Sequence, residues 1–382
     1  MAAFSVNEYK RRLACLRDCL RKQGLAACVC VSPELLYYYC GYEGHTHFSD
    51  QFMVFGSLDT IPTLIHRDVD GGIAQESCWI EDRRCYHYGH EDPFVLLQSV
   101  VAEKIDSKCD IGVDWNTHAL KGGKAFSLQG SLSNWGLVDF SQEIQGLRLV
   151  KSPEELIYLR RAGEFATIGL ERAREIAAPG VSEISLAGEL EAAMRNQGSE
   201  YPAMPSWVSS GPRTTGAHKT PTSRVIERGE RVKLEFAGVC ARYHAVTMQT
   251  FWVGKSPPDE TIKIYRAAAE ALRAGESAIV VGQPVATSEA AAFSVLVEHG
   301  FDLKWHSRFG YGVGVAYPPT WLESLDITQE SAQNFALNQS FTLHIAVKDP
   351  FEGQGLMLGG AYLLGDSGLE VLSGGALDLM VV

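Results

Sequence analysis

The chain has no excess of basic charge: 34 Lys and Arg stand against 46 Asp and Glu, and the net charge of −12 repels a phosphate backbone. Nucleic acid is therefore not the expected partner. A C-x-x-C pair is missing too, and the nine cysteines, at 15, 19, 28, 30, 40, 78, 85, 109 and 240, are odd in number. Neither a disulfide framework nor a zinc ribbon is indicated, and the thiols read as reduced and mostly buried. No apolar run approaches the roughly 18 residues of a membrane span. Glu8, Lys10, Arg11 and Arg12 near the start exclude the uninterrupted apolar stretch of a secretory signal. The expectation is a cytoplasmic protein without a membrane partner. The glycines at 310, 312 and 314 lack the G-x-G-x-x-G spacing and a helix start behind them, so they read as close backbone packing rather than a phosphate loop.

What is present is an ordinary globular balance, 46% hydrophobic and 21% charged, over 382 residues, enough for about two domains at about 150 residues each. Ser5 and Glu8 have capping-box spacing, and Leu13, Leu16 and Leu20 recur at helical intervals, which predicts a helix over 6–23. An apolar run at 26–31, a turn at Ser32-Pro33, and strands at 52–55 and 62–66 follow, giving an α/β domain over 1–150. Ser152-Pro153-Glu154-Glu155 then supplies an N-cap, a proline in the first turn and a capping-box glutamate, so the domain boundary is placed near 150. Helices are predicted from Pro153 to Pro179-Gly180, then over 183–197, 259–275 and 285–299, with strands after each pair. The order helix, helix, strands thus occurs twice over 151–382.

Four segments place polar residues where strands should be: 216–218, 235–250, 310–321 and 341–344. A buried strand does not collect such groups without a reason. His218 stands in a glycine-flanked, threonine-rich stretch, and a histidine pKa of about 6.5 suits proton transfer at neutral pH. The plain alternative is a histidine that only hydrogen-bonds its loop. Glu235, between Leu234 and Phe236, is a poorly solvated carboxylate that needs a partner. That partner is either a ligand with an amidinium or guanidinium fork or a protein cation, Arg242 or Arg308.

Ser209-Gly-Pro-Arg-Thr-Thr-Gly-Ala-His218, Arg228-Gly-Glu with Leu234-Glu235, and Tyr243 through Thr250 together resemble the creatinase and prolidase group of the pita-bread family. Within it, Arg242-Tyr243-His244, Gly310-Tyr311, Tyr317-Pro318-Pro319-Thr320-Trp321 and Phe341 to His344 look most like ectoine hydrolases. The resemblance implies an N-terminal creatinase-like α/β domain followed by a C-terminal α+β pita-bread catalytic domain. It also implies a homodimer with shared sites. In the family's metallopeptidases two aspartates, a histidine and two glutamates hold a metal pair; here the five places carry Glu235, Val246, Tyr311, His344 and Gly359. Valine and glycine offer no donor, so no metal and no other cofactor is expected. One zinc held by Glu235, His244 and His344 remains the open alternative. Other departures are Gln249 for an arginine, Met248 for a creatinase glutamate, and Gly359-Gly360 for a late glutamate.

The expected activity is metal-independent hydrolysis of a C–N bond in a small amidine, guanidine or cyclic amide. The resemblance makes His218 the general acid and base, Glu235 the holder of the cation, and Tyr311 and His344 donors to developing charge. His244, Tyr317 and Trp321 are expected to bind substrate. So are His45, His47, Phe48 and Gln51, in a loop that crosses to the partner's pocket in creatinase-like dimers. Two alternatives stand beside this: a non-hydrolytic cyclase, isomerase or lyase, and a catalytically inactive binding module.

Overall fold

The structure, a computed structural model, describes residues 3–44, 49–303, 308–348, 353–374 and 378–382. Two compact units divide the chain at Arg148 and Leu149.

The first unit runs α1 (Val6–Gln23), β1 (Ala27–Cys30), α2 (Pro33–Cys40), β2 (Phe52–Gly56), β3 (Thr63–Arg67), α3 (Gly71–Ser77), β4 (Arg83–Tyr86), α4 (Pro93–Lys104), β5 (Asp110–Val113), α5 (Gly122–Ser131), β6 (Gly136–Asp139) and α6 (Ser141–Gly146). Its six strands lie in the order β4-β3-β2-β1-β5-β6. Alternate residues divide between two cores: Cys28, Cys30, Met53 and Phe55 pack with α1 and α2, and Val29, Phe52, Val54 and Ile111 pack with α4. The Ser32-Pro33 step read as a turn is instead the N-terminus of α2, with proline in the first helical turn where a missing N–H costs nothing.

The second unit runs α7 (Pro153–Ile176), α8 (Glu183–Asn196), β7 (Trp207–Ser210), β8 (Glu230–Cys240), β9 (Tyr243–Val253), α9 (Asp259–Ser277), α10 (Ala286–Glu298), β10 (Gly310–Tyr317), β11 (Thr320–Ile327), β12 (Ser340–Lys348), β13 (Gly355–Gly365), β14 (Gly368–Val371) and β15 (Met380–Val381). Ser152 caps α7 through the capping box with Glu155, and the helix ends at Ile176, three residues short of the proline expected to stop it. Seven strands of one sheet follow the order β11-β10-β12-β13-β9-β8-β7. Val232, Leu234 and Phe236 turn toward α7 and α8, while Phe341, Leu343 and Ile345 turn toward α9 and α10. The intervening residues, two apart along each strand, face the opposite side, so one sheet face is left for chemistry. Among the described residues no helix is long and apolar enough to cross a membrane.

Candidate active site

Strand register places the key residues in one row. Trp207 pairs with Glu235, Glu235 with Met248, Met248 with Gly359, and Gly359 with His344. Directly opposed residues share a face, so all five belong to the side away from the helices, spaced about 4.8 Å per strand. Tyr311 pairs with Thr342, one step along the same face from His344, and its ring centroid lies 5.9 Å from the imidazole. Val246, Met248, Met357 and Trp321 form the apolar cluster around Tyr311.

His218 is the group that comes from a turn. It follows a short 3-10 segment, Gly211–Thr215, and has φ +49°, in the left-handed region that non-glycine residues enter at a cost. Its ring sits 5.4 Å from that of Trp207, and its Nε2 is 4.0 Å from a Glu235 carboxylate oxygen. Lys233, two residues before Glu235 on the same face, is buried and donates from Nζ to the carbonyls of Thr214 (2.9 Å) and Gly216 (2.5 Å). A single lysine thereby ties the histidine's turn to the glutamate's strand. Sequence reasoning missed both Lys233 and Trp207; the signal available was alternation, since 231, 233 and 235 are polar between Val232, Leu234 and Phe236.

Glu235 is 4% exposed, and burial pushes its carboxyl up to about 7 despite the opposing pull of the Lys233 ammonium. Burial lowers His218 from the ordinary histidine value, and Lys233 adds to this. Lys233 itself falls to about 8 through burial, partly offset by Glu235. The Tyr311 hydroxyl is raised by burial first and then by the Glu235 charge, so it stays protonated and can donate. A carboxyl raised to about 7 by burial and an imidazole lowered by burial, 4.0 Å apart, have the arrangement that acid–base chemistry requires.

The other expected residues divide. Trp321 is fully buried and acts on Tyr311, donating from its indole nitrogen to the phenol at 3.1 Å. His244 does not open onto the site: Nε2 accepts from the Ala203 amide (2.9 Å) and Nδ1 lies 2.9 Å from the Arg242 carbonyl. Both nitrogens are used, and burial lowers its pKa to about 3, so it is a neutral structural group. Tyr317 is buried with the Arg242 guanidinium 4.8 Å from its ring. Gln51 is buried in the first unit and donates to the Tyr42 hydroxyl and to Asp70. His45, His47 and Phe48 lie outside the described residues. Neither arginine considered as a partner for Glu235 takes that role: Arg242 donates to the carbonyls of Tyr201 and Ala316, and Arg308 pairs with Asp326. Gln249 points to the helix side, accepting from the Tyr265 hydroxyl at 3.0 Å, so its replacement of an arginine does not alter the face that holds Glu235.

The pattern of the M24 metallopeptidase family matches residues 158–365, and that of the creatinase/prolidase N-terminal domain matches 12–150. The chain belongs to the M24 family. Among its relatives, the ectoine hydrolase of Halomonas elongata is 25% identical, over 97% of this chain and 96% of that protein. The creatinase of a Bacillus species is 27% identical over 81% of this chain and 75% of its own length. A prolidase from Thermococcus sibiricus superposes with a TM-score of 0.88 at 20% identity, covering 98% of this chain and 99% of that one, which shows the shared two-part pita-bread fold. The metal pair implied by the family name does not fit the residues present. Of the five positions only Glu235 and His344 carry a carboxylate or imidazole, and no group of three His, Cys, Asp or Glu among the described residues could hold an ion. A Cβ at Gly359 would stand 2.2 Å from the Leu343 carbonyl oxygen, so this M24 chain has no room there for an acidic side chain. The zinc set with His244 fails as well, because that imidazole is already satisfied on both nitrogens.

Proposed function

We propose that this protein is a metal-independent hydrolase of a C–N bond in a small amidine, guanidine or cyclic amide. The observation that carries the proposal is the pair His218 and Glu235, 4.0 Å apart, with the carboxyl buried and raised to about 7. The relatives named ectoine hydrolase and creatinase support hydrolysis as the reaction class.

In this reading Glu235 takes the N–H groups of the substrate and fixes the trigonal carbon beside His218. Neutral His218 removes a proton from water as its oxygen adds to that carbon, and the π pair moves onto the carbonyl oxygen or imine nitrogen. The Tyr311 hydroxyl, oriented by Trp321, and His344 donate to the charge that develops. The collapse restores the double bond and breaks C–N. The leaving nitrogen keeps the electron pair and takes the proton from His218, so one water is consumed and an amine forms, which departs from an open-chain substrate and stays attached to the ring-opened product of a cyclic one.

A panel of amidines, guanidines and lactams incubated with the purified protein, with the addition of one water or the release of amine followed by mass spectrometry, tests this. Turnover of at least one class should be lost in His218→Ala. Equal turnover in that variant would move the chemistry elsewhere, and a panel without turnover would favour the binding-module alternative.

A further inference from the structure

Trp207 carries a donor that the reaction outlined above leaves unused. It stands directly opposite Glu235 in the β7–β8 register, and its ring lies against His218. Its indole nitrogen is buried and has no hydrogen-bond partner among the described residues. A buried N–H without an acceptor is an expensive arrangement, retained where a ligand supplies the acceptor. Directly opposed side chains on one face have Cβ atoms about 5 Å apart. The Trp207 and Glu235 side chains therefore stand side by side on one face, with His218 against the indole ring.

We propose that Trp207 and Glu235 together read the edge of a cis amide, so that the substrate is a lactam. This deepens the hydrolase reading and rests on it. A ring holds its amide cis, which puts the carbonyl oxygen and the N–H on one edge: an acceptor for the indole and a donor for the carboxylate. An amidinium presents two donors on that edge. It satisfies Glu235 but meets the indole N–H donor to donor. Trp207 is then also placed to hold the oxygen that becomes negative when water adds to the carbon.

Two rings that differ only at this edge separate the possibilities: 2-piperidone, with C=O beside N–H, and 2-iminopiperidine, its amidinium counterpart. Binding at pH 8 is followed by ligand-observed NMR and by the indole 1H–15N resonances, with the Trp207 signal identified by its absence from Trp207→Phe. The expected result is binding of 2-piperidone with a downfield shift of that one indole proton. In Trp207→Phe the affinity for 2-piperidone should fall at least tenfold while that for 2-iminopiperidine changes less than twofold, which also shows that the variant is folded. Binding of 2-iminopiperidine alone by the native protein, or unchanged lactam affinity in Trp207→Phe, would overturn the lactam assignment and leave the hydrolase reading standing. Binding of neither ring would overturn both.

Discussion

A carboxyl buried on an apolar sheet face is a liability to folding, and Glu235 makes the liability measurable. Its pKa is about 7 in the folded chain against 4.5 for an ordinary glutamate, so the native state holds the proton more tightly than the unfolded state does. Below pH 4.5 both states are protonated and the residue costs nothing through this route. As pH rises through 4.5 to 7 the unfolded chain ionises first, and native stability falls, reaching a loss of about 3 kcal/mol above pH 7. Urea denaturation should accordingly find Glu235→Gln more stable than wild type at pH 8 by about that amount, with the gap closing at pH 4; a constant gap would mean that the carboxyl is not desolvated. His218→Ala should lower kcat roughly a hundredfold on whichever substrate is turned over, the usual scale for an acid–base group. Lys233 predicts a different signature, because it touches the turn rather than the reaction. Lys233→Met should raise amide hydrogen exchange across residues 214–218 about tenfold while the helices keep their protection, since two charge-assisted hydrogen bonds to that turn are lost.

At the scale of elements, β8 does two jobs because its side chains alternate. One set packs on α7 and α8; the other carries Lys233 and Glu235. The packing side is close enough to leave no room for a methyl group at Gly238, where a Cβ would stand 2.1 Å from the Ala162 carbonyl oxygen of α7. Gly238→Ala should cost at least about 2 kcal/mol or prevent folding. Gly188, exposed in α8 with open space at its Cβ position, should respond in the opposite direction. Gly188→Ala is expected to stabilise by about 0.5–1 kcal/mol, and thermal melts of the two variants check the pair. Much of this was legible beforehand: α1, the capped start of α7, α8, and the strand position of Glu235 follow from periodicity and capping. The helix α2 was not, since Ser32-Pro33 is equally a turn and a helix start, and the apolar residues Leu35 to Tyr39 show no polar face. Nor was the role of His244. Nothing local distinguishes a strand histidine that accepts from a distant amide, that of Ala203 here, from one that opens onto a ligand.

For the whole molecule, the sequence motifs led to Glu235, Tyr311 and His344, which share one face of the sheet, but not to the other occupants of that face. Trp207 and Lys233 act through register and through a turn some twenty residues away in sequence, neither of which a linear motif encodes. Two whole-chain predictions follow from the reading. Elemental analysis of the purified protein should find no stoichiometric transition metal, and chelation should leave turnover unchanged; an equivalent of zinc or manganese lost together with activity would refute this. The resemblance of residues 41–51 to a loop that crosses creatinase-like interfaces predicts a homodimer with shared sites. Co-refolding His218→Ala chains with chains carrying His47→Ala and Phe48→Ala should then restore about a quarter of native activity, since half of randomly paired dimers are mixed and each holds one intact site of two. Background activity in proven mixed dimers would refute the sharing. The close approach of β12 to Gly359 bears finally on what the site can be changed into. A two-metal set cannot be built on this sheet one substitution at a time. An acidic residue at 359 collides with the neighbouring backbone, and one at the fully buried Val246 strands a charge with no ion to meet it. Each of these substitutions is disfavoured until the others are in place, so a metal pair could be installed in this sheet only by concerted change.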